Sequence, residues 1–134
     1  MQIERASSHR PELERIIAGH SPYPAQLHFV ADIQSWATNT GARIRGNPSA
    51  TCFSSSSPGL PWLIVLRENI DESQIKSILD VMEIYENRKG IHEQLGSPER
   101  FLEHTVLHQL AHLVLDCGNE GESRCNDWAF ARLT

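Results

Sequence analysis

Residues 97–115 read SPERFLEHTVLHQLAHLVL, and this stretch sets the frame for the rest of the chain. Ser97 is a helix cap and Pro98 fits the first helical position, where no amide hydrogen is needed. Phe101, Leu102, Val106, Leu107, Leu110, Ala111 and Val114 then recur at helical spacing and carry a helix to about Leu115. Just upstream, Pro61–Arg67 (PWLIVLR) is a compact β-prone run bounded by breakers, apolar enough to be buried on both faces. Asp71 or Ser73 opens a helix to about Tyr85 with Ile75, Ile78, Leu79 and Met82 on one side, and residues 86–96 read as a polar connector. Downstream, a turn over Asp116–Gly121 leads into a last helix over roughly Glu122–Leu133.

Towards the N-terminus the pattern is weaker. A short helix starts after Ser8-His-Arg, with Pro11 near its first turn. Leu27, Val30, Ala31, Ile33 and Ala37 predict a second helix from Pro24 to about Thr38, stopped by Gly41. Ala42–Arg45 reads as a short strand, and residues 46–59 as loop with a strand near Thr51–Phe53. The expectation is one α+β domain over residues 1–134, with more helix than strand.

Composition narrows the function. With 134 residues the chain can bury a real core without disulfide staples. No apolar run approaches the ~20 residues that span a bilayer. The opening MQIERASSHR has no signal-peptide core. Three cysteines (Cys52, Cys117, Cys125) cannot all pair within the chain, which argues against a disulfide framework and for a reducing cytoplasm. The net charge of −5 argues against a constitutive nucleic-acid binder. That charge is uneven: residues 1–67 hold six basic and four acidic side chains, residues 68–134 six and thirteen.

The chemistry concentrates in residues 104–130, HTVLHQLAHLVLDCGNEGESRCNDWAF. His104, His108 and His112 stand at successive i, i+4 steps, which stacks them on one helix face. They cannot share one ion, because His104 and His112 lie about 12 Å apart along the axis at ~1.5 Å per residue. Seven histidines in 134 residues make roughly 0.3–0.4 such pairs by chance, so spacing alone is weak. Context strengthens it. His108 and His112 sit in an apolar helix, where two idle imidazoles would be poorly solvated. Glu122 follows a glycine-containing turn, so a helix returning antiparallel can bring its carboxylate beside the pair. Two histidines, a glutamate and a water form a familiar catalytic zinc set. The register His104/His108 would leave His112 idle, and Cys117 is a competing soft ligand whose plainer role is that of a small turn residue.

At these residues the chain resembles a known family. His108-Gln-Leu-Ala-His112 is similar to the HExxH motif of zincin metallopeptidases, and Glu122-Ser-Arg-Cys-Asn-Asp-Trp-Ala129 resembles the ExxA(N/D)x(F/W)A signature of the ImmA/IrrE-type peptidases. The clear match covers about 30 residues. The resemblance implies a small zincin-like domain in which an active-site helix and a glutamate helix pack on a short β-sheet. It implies zinc held by His108, His112 and Glu122, with the signature's small, amide and aromatic positions at Cys125, Asn126 and Trp128. It further implies a cytoplasmic regulatory endopeptidase cleaving one protein partner, often a helix-turn-helix repressor, in phage, stress or defence control. Activation by single-stranded DNA would give the mildly basic half a role. Relatives often continue past the signature, where this chain stops at Thr134, so it reads as a compact domain or as a catalytic piece.

Gln109 departs from the pattern. The motif's Glu takes a proton from water and returns it to the leaving amine, whereas a Gln amide is nearly isosteric and accepts no proton. Losing a general base typically lowers rate by roughly 10²–10⁴-fold. The chain is then either a deliberately inactivated enzyme or a natural zinc-binding pseudopeptidase that acts as a protein-interaction module; a metal-free helical interaction domain is a third reading. Cys52, ahead of the central strand, is either a semi-buried thiol or a fourth ligand that keeps the site latent, a cysteine switch. Tyr85, His92 and His104 are the candidates for steadying an oxyanion. Trp36, Trp62 and Trp128 read as core, and Ser54–Ser57 as a solvated loop or a substrate lid.

Overall fold

The computed structural model describes residues 1–44, 48–55, 59–116 and 121–134. Its chain order is a 3-10 turn (Ala6–His9), α1 (Arg10–His20), β1 (Ala25–Val30), α2 (Ile33–Thr40), β2 (Ala50–Phe53), β3 (Trp62–Arg67), α3 (Glu72–Ile84), α4 (Ile91–Gln94), α5 (Pro98–Leu115) and α6 (Glu122–Arg132). The α+β expectation therefore holds.

The long helix forms as its sequence dictates. The Ser97 side chain accepts from the Arg100 amide at 3.2 Å, Pro98 occupies the first turn, and Asp116 closes the helix in the left-handed region (φ 50). Residues 101–107 are buried without a break, including the polar Glu103, His104 and Thr105. Burial on every side marks a helix packed from several directions, not one resting on the surface. It touches α1, β2, β3 and α6.

The sheet has the order β1-β3-β2. β1 runs parallel to β3, pairing Ala25 with Trp62 through to Val30 with Arg67. β2 runs antiparallel, pairing Ala50 with Leu66 and Phe53 with Leu63. Ile64, Val65 and Leu66 are all fully buried, as the unbroken apolar run implies for a central strand. Ile64 and Leu66 join the core made by α1, α3 and α5. Val65 points the other way along the alternating strand, and α2, in which Ile33 and Ala37 are buried, also packs on β3.

Three local expectations are corrected. The helix expected over 24–38 is two elements: Ala25–Val30 is a strand, and only Ile33–Thr40 is helical. The apolar positions of 25–30 fit either period. Pairing with β3 selects the alternating one, which buries Leu27 and exposes Gln26 and His28. Asp32 then caps α2 by accepting from the Ser35 amide at 3.0 Å, and Gly41 ends it at φ +77. Ala42–Ile44 form no strand, while Arg45 lies outside the described residues. The connector 86–96 contains the short α4, whose buried Ile91 reaches the core.

The cysteine reading also changes. Cys125, fully buried in α6, is disulfide-bonded, and Cys52 is a free thiol. An odd count forbids complete pairing but not one bridge. Among the described residues no helix is long and apolar enough to cross a membrane.

Candidate metal centre

α6 runs back along α5, and contacts down the pair fix the antiparallel register. Glu122 meets His108 and His112, Asn126 meets His108, the Phe130 ring packs on His104 at 4.7 Å, and the Thr134 amide donates to Glu103 at 3.1 Å. Positions 122, 126 and 130 share one face of α6 because they are four residues apart.

This register gathers three donors. His108 Nε2 lies 2.8 Å from Glu122 Oε2, His112 Nε2 lies 2.9 Å from Glu122 Oε1, and the two Nε2 atoms are 3.1 Å apart. Bonds of ~2.0–2.1 Å from a tetrahedral ion place neighbouring ligand atoms roughly 3.3 Å apart. The set is thus already near the edge lengths of such a shell. Among the described residues it is the one group of three or more His, Cys, Asp or Glu side chains close enough to hold an ion. Burial alone would push the Glu122 carboxyl up, but hydrogen bonds from His108 and His112, and their charge, bring it down to about 2. Two imidazoles and an ionised carboxylate suit zinc, so these residues fit the ion that the sequence implies.

The donors open into a cleft of about 800 Å³. Gln109 lines it beside them, and so do residues 50–53 of β2, an edge strand of the sheet, with Ser54 after it and Arg43. A smaller recess of about 290 Å³ adjoins His108 and Glu122, lined by Ile78, Met82, Phe101 and His104. A separate cavity of about 890 Å³ between α1 and β1 contains none of the three donors.

The remaining residues singled out by sequence fall in different places. Cys52 lines the cleft without joining the three-donor set. Burial, reinforced by the charge of Glu122, pushes its thiol up to about 12. His104 lies one turn behind His108, is 4% exposed, and its Nε2 has no hydrogen-bond partner among the described residues. Burial, then the charges of His108 and Arg88, lower its imidazole to about 3, with Asn126 opposing. Tyr85 is exposed at the end of α3, and His92 pairs with Asp80 at 2.9 Å; neither lines the cleft. Trp128 packs against the core, with Arg132 over its ring at 3.8 Å. Cys117, Ser56 and Ser57 lie outside the described residues.

Sequence reading missed the support behind His108. Its Nδ1 lies 2.6 Å from Asn126 Oδ1, the Asn126 amide donates to Glu86 Oε2 at 2.7 Å, and Arg88 donates to Glu86 Oε1 at 2.9 Å. Asn126 was visible as a motif position. Glu86 and Arg88, in an apparently featureless connector, were not. Compared with family models, with curated proteins and with solved structures, the chain matches none.

Proposed function

We propose that this chain is a zinc metallopeptidase domain of the ImmA/IrrE type whose proton-transfer residue is replaced by Gln109. The observation that carries the reading is the convergence of His108, His112 and Glu122 in a cleft that Gln109 and the edge strand β2 also line. His108, His112 and Glu122 would hold the ion, leaving a fourth direction open towards the cleft. Zinc bound there supplies a Lewis acid for a water and a carbonyl.

The chain's own residues have distinct tasks. Residue 109 stands beside the donors, where a carboxylate could take a proton from the attacking water and pass it to the leaving amine. The Gln109 amide can still hydrogen-bond that water but takes no proton. β2 offers backbone groups along the cleft, against which an extended peptide can lie as an added strand. Cys52 lines the same cleft, and a thiolate from it could take the fourth direction and keep the site latent. The partner class, a helix-turn-helix repressor with single-stranded DNA as the activating signal, rests on the motif resemblance alone.

The test is Gln109→Glu, incubated with a peptide library and with candidate repressors, with and without chelator, and read by mass spectrometry. Cleavage should appear only with the substitution and vanish with chelator, a gain of about 10²–10⁴-fold. Gln109 itself favours a second reading, a non-catalytic zinc module that binds a regulator. A variant that binds zinc yet cuts nothing would establish that reading instead.

A further inference from the structure

Behind His108 stands a chain of hydrogen bonds whose polarity can be deduced from end to end. Arg88 Nε donates to Glu86 Oε1 at 2.9 Å, and Asn126 Nδ2 donates to Glu86 Oε2 at 2.7 Å. A carboxylate only accepts, so the amide nitrogen of Asn126 must face Glu86 and its oxygen must face His108. That oxygen, 2.6 Å from His108 Nδ1, also only accepts, so Nδ1 carries the imidazole proton. His108 Nε2, 2.8 Å from Glu122 Oε2 and 3.1 Å from His112 Nε2, is then the nitrogen that faces the other donors, and the proton it shares with the Glu122 carboxylate is the one an ion would displace.

The Glu86 and Arg88 side chains are only 11% and 19% exposed. Arg88 is itself pinned, donating to Asp127 at 2.6 Å and to the Ser123 carbonyl at 3.2 Å while lying over the Phe130 ring at 4.9 Å. Asn87 between them takes the left-handed conformation (φ 54), a sharp turn that lets both neighbours reach α6.

We propose that Glu86 is a positioning residue for the metal site: it fixes which way the Asn126 amide faces, and through it which nitrogen of His108 is free to bind an ion. The proposal deepens the metal reading and rests on it. The role requires a carboxylate, because Arg88 and Asn126 both present donors and need two acceptors on one side chain. An amide at position 86 supplies one acceptor and one donor. Whichever way it turns, a donor opposes either Arg88 or Asn126. If Asn126 turns over in response, its N–H meets His108 Nδ1, and the proton moves to Nε2, the metal-binding nitrogen. Loss of such supporting hydrogen bonds typically lowers metal affinity 10–100-fold.

The same logic supplies a rescue. In Glu86→Gln/Asn126→Asp, Arg88 donates to the new amide oxygen, the amide nitrogen donates to the new carboxylate, and that carboxylate accepts from His108 Nδ1. Every bond in the line is kept, with the charge moved by one residue. Asn126→Asp alone instead sets two carboxylates face to face.

The experiment measures zinc affinity of the whole chain by competition with a chromophoric chelator, for the parent, both single variants and the double variant. Cobalt absorption spectra and unfolding temperatures in excess chelator accompany each titration. Each single substitution should weaken zinc binding about 10–100-fold and alter the cobalt spectrum, and the double substitution should return affinity to within about threefold of the parent. Unchanged affinity in Glu86→Gln, or a double variant no better than the singles, overturns the positioning role. So does a fall in chelator-treated stability large enough to account for the lost affinity. A parent that binds no zinc refutes the metal reading itself, which is a different result from a parent that binds and a variant that binds equally well.

Discussion

Substituting Glu122→Ala separates a metal centre from a mere hydrogen-bonded cluster, because the two predict different costs with and without zinc. In the absence of an ion the Glu122 carboxylate bridges His108 and His112 at 2.8 and 2.9 Å, but its side chain is 50% exposed. Water can replace much of what is lost, so the screened contribution is only about 0–1 kcal/mol. With an ion bound, the same carboxylate is one of three protein ligands. Zinc at 100 times its dissociation constant stabilises the folded state by about 2.7 kcal/mol. For a chain of 134 residues, at about 2.1 cal/mol/K of unfolding entropy per residue, this raises the unfolding temperature by roughly 10 °C. Thermal unfolding of the parent and of Glu122→Ala, in chelator and at matched zinc, is the assay. The parent should gain roughly 10 °C with zinc, while the variant gains little and differs from it by only ~0–4 °C in chelator. The zinc gain should shrink in acid, where protons compete for the ligands. Zinc stabilising Glu122→Ala as strongly as the parent would refute the assignment of this carboxylate as a ligand.

Two further predictions concern the residues around the donors. The imidazole of His104 sits at about 3 in the folded chain, against 6.5 ordinarily, so between those values the unfolded chain binds the extra proton. Its contribution is present in full above 6.5 and is lost as pH falls towards 3, at up to about 1.4 kcal/mol per pH unit. In chelator His104→Leu should flatten the decline of unfolding temperature from pH 6.5 to 4, and parallel declines would count against a buried neutral ring. The Cys52 thiol, raised from 9.0 to about 12 in the metal-free chain, should alkylate at pH 8 about 10³-fold more slowly than an unperturbed thiol. In a Gln109→Glu background, Cys52→Ala should raise basal cleavage severalfold, whereas unchanged cleavage would leave Cys52 a semi-buried thiol with no latency role.

Sequence alone determined the elements whose signals are local. Ser97 and Pro98 fix where α5 starts, the run 62–67 is too apolar for anything but a buried strand, and the spacing of His108 and His112 puts both imidazoles on one helix face. Those outcomes depend on neighbours within four residues, so they can be read directly. Glu122 was legible for a related reason: so few residues separate α5 from α6 that the chain has few ways to return. Residues 25–30 fit two periods equally well, and only the hydrogen-bonding edge of β3, 37 residues further along in register, decided for the strand. That the three cysteines are not all free thiols likewise depended on packing and not on their count. Tertiary structure alone placed Cys52 in the cleft, left Tyr85 and His92 outside it, and brought Glu86 across 40 residues to the Asn126 amide. A hydrogen bond forms between atoms that the fold brings within 3 Å, whatever their separation in sequence, and a connector such as 86–96 carries no periodicity that could announce it.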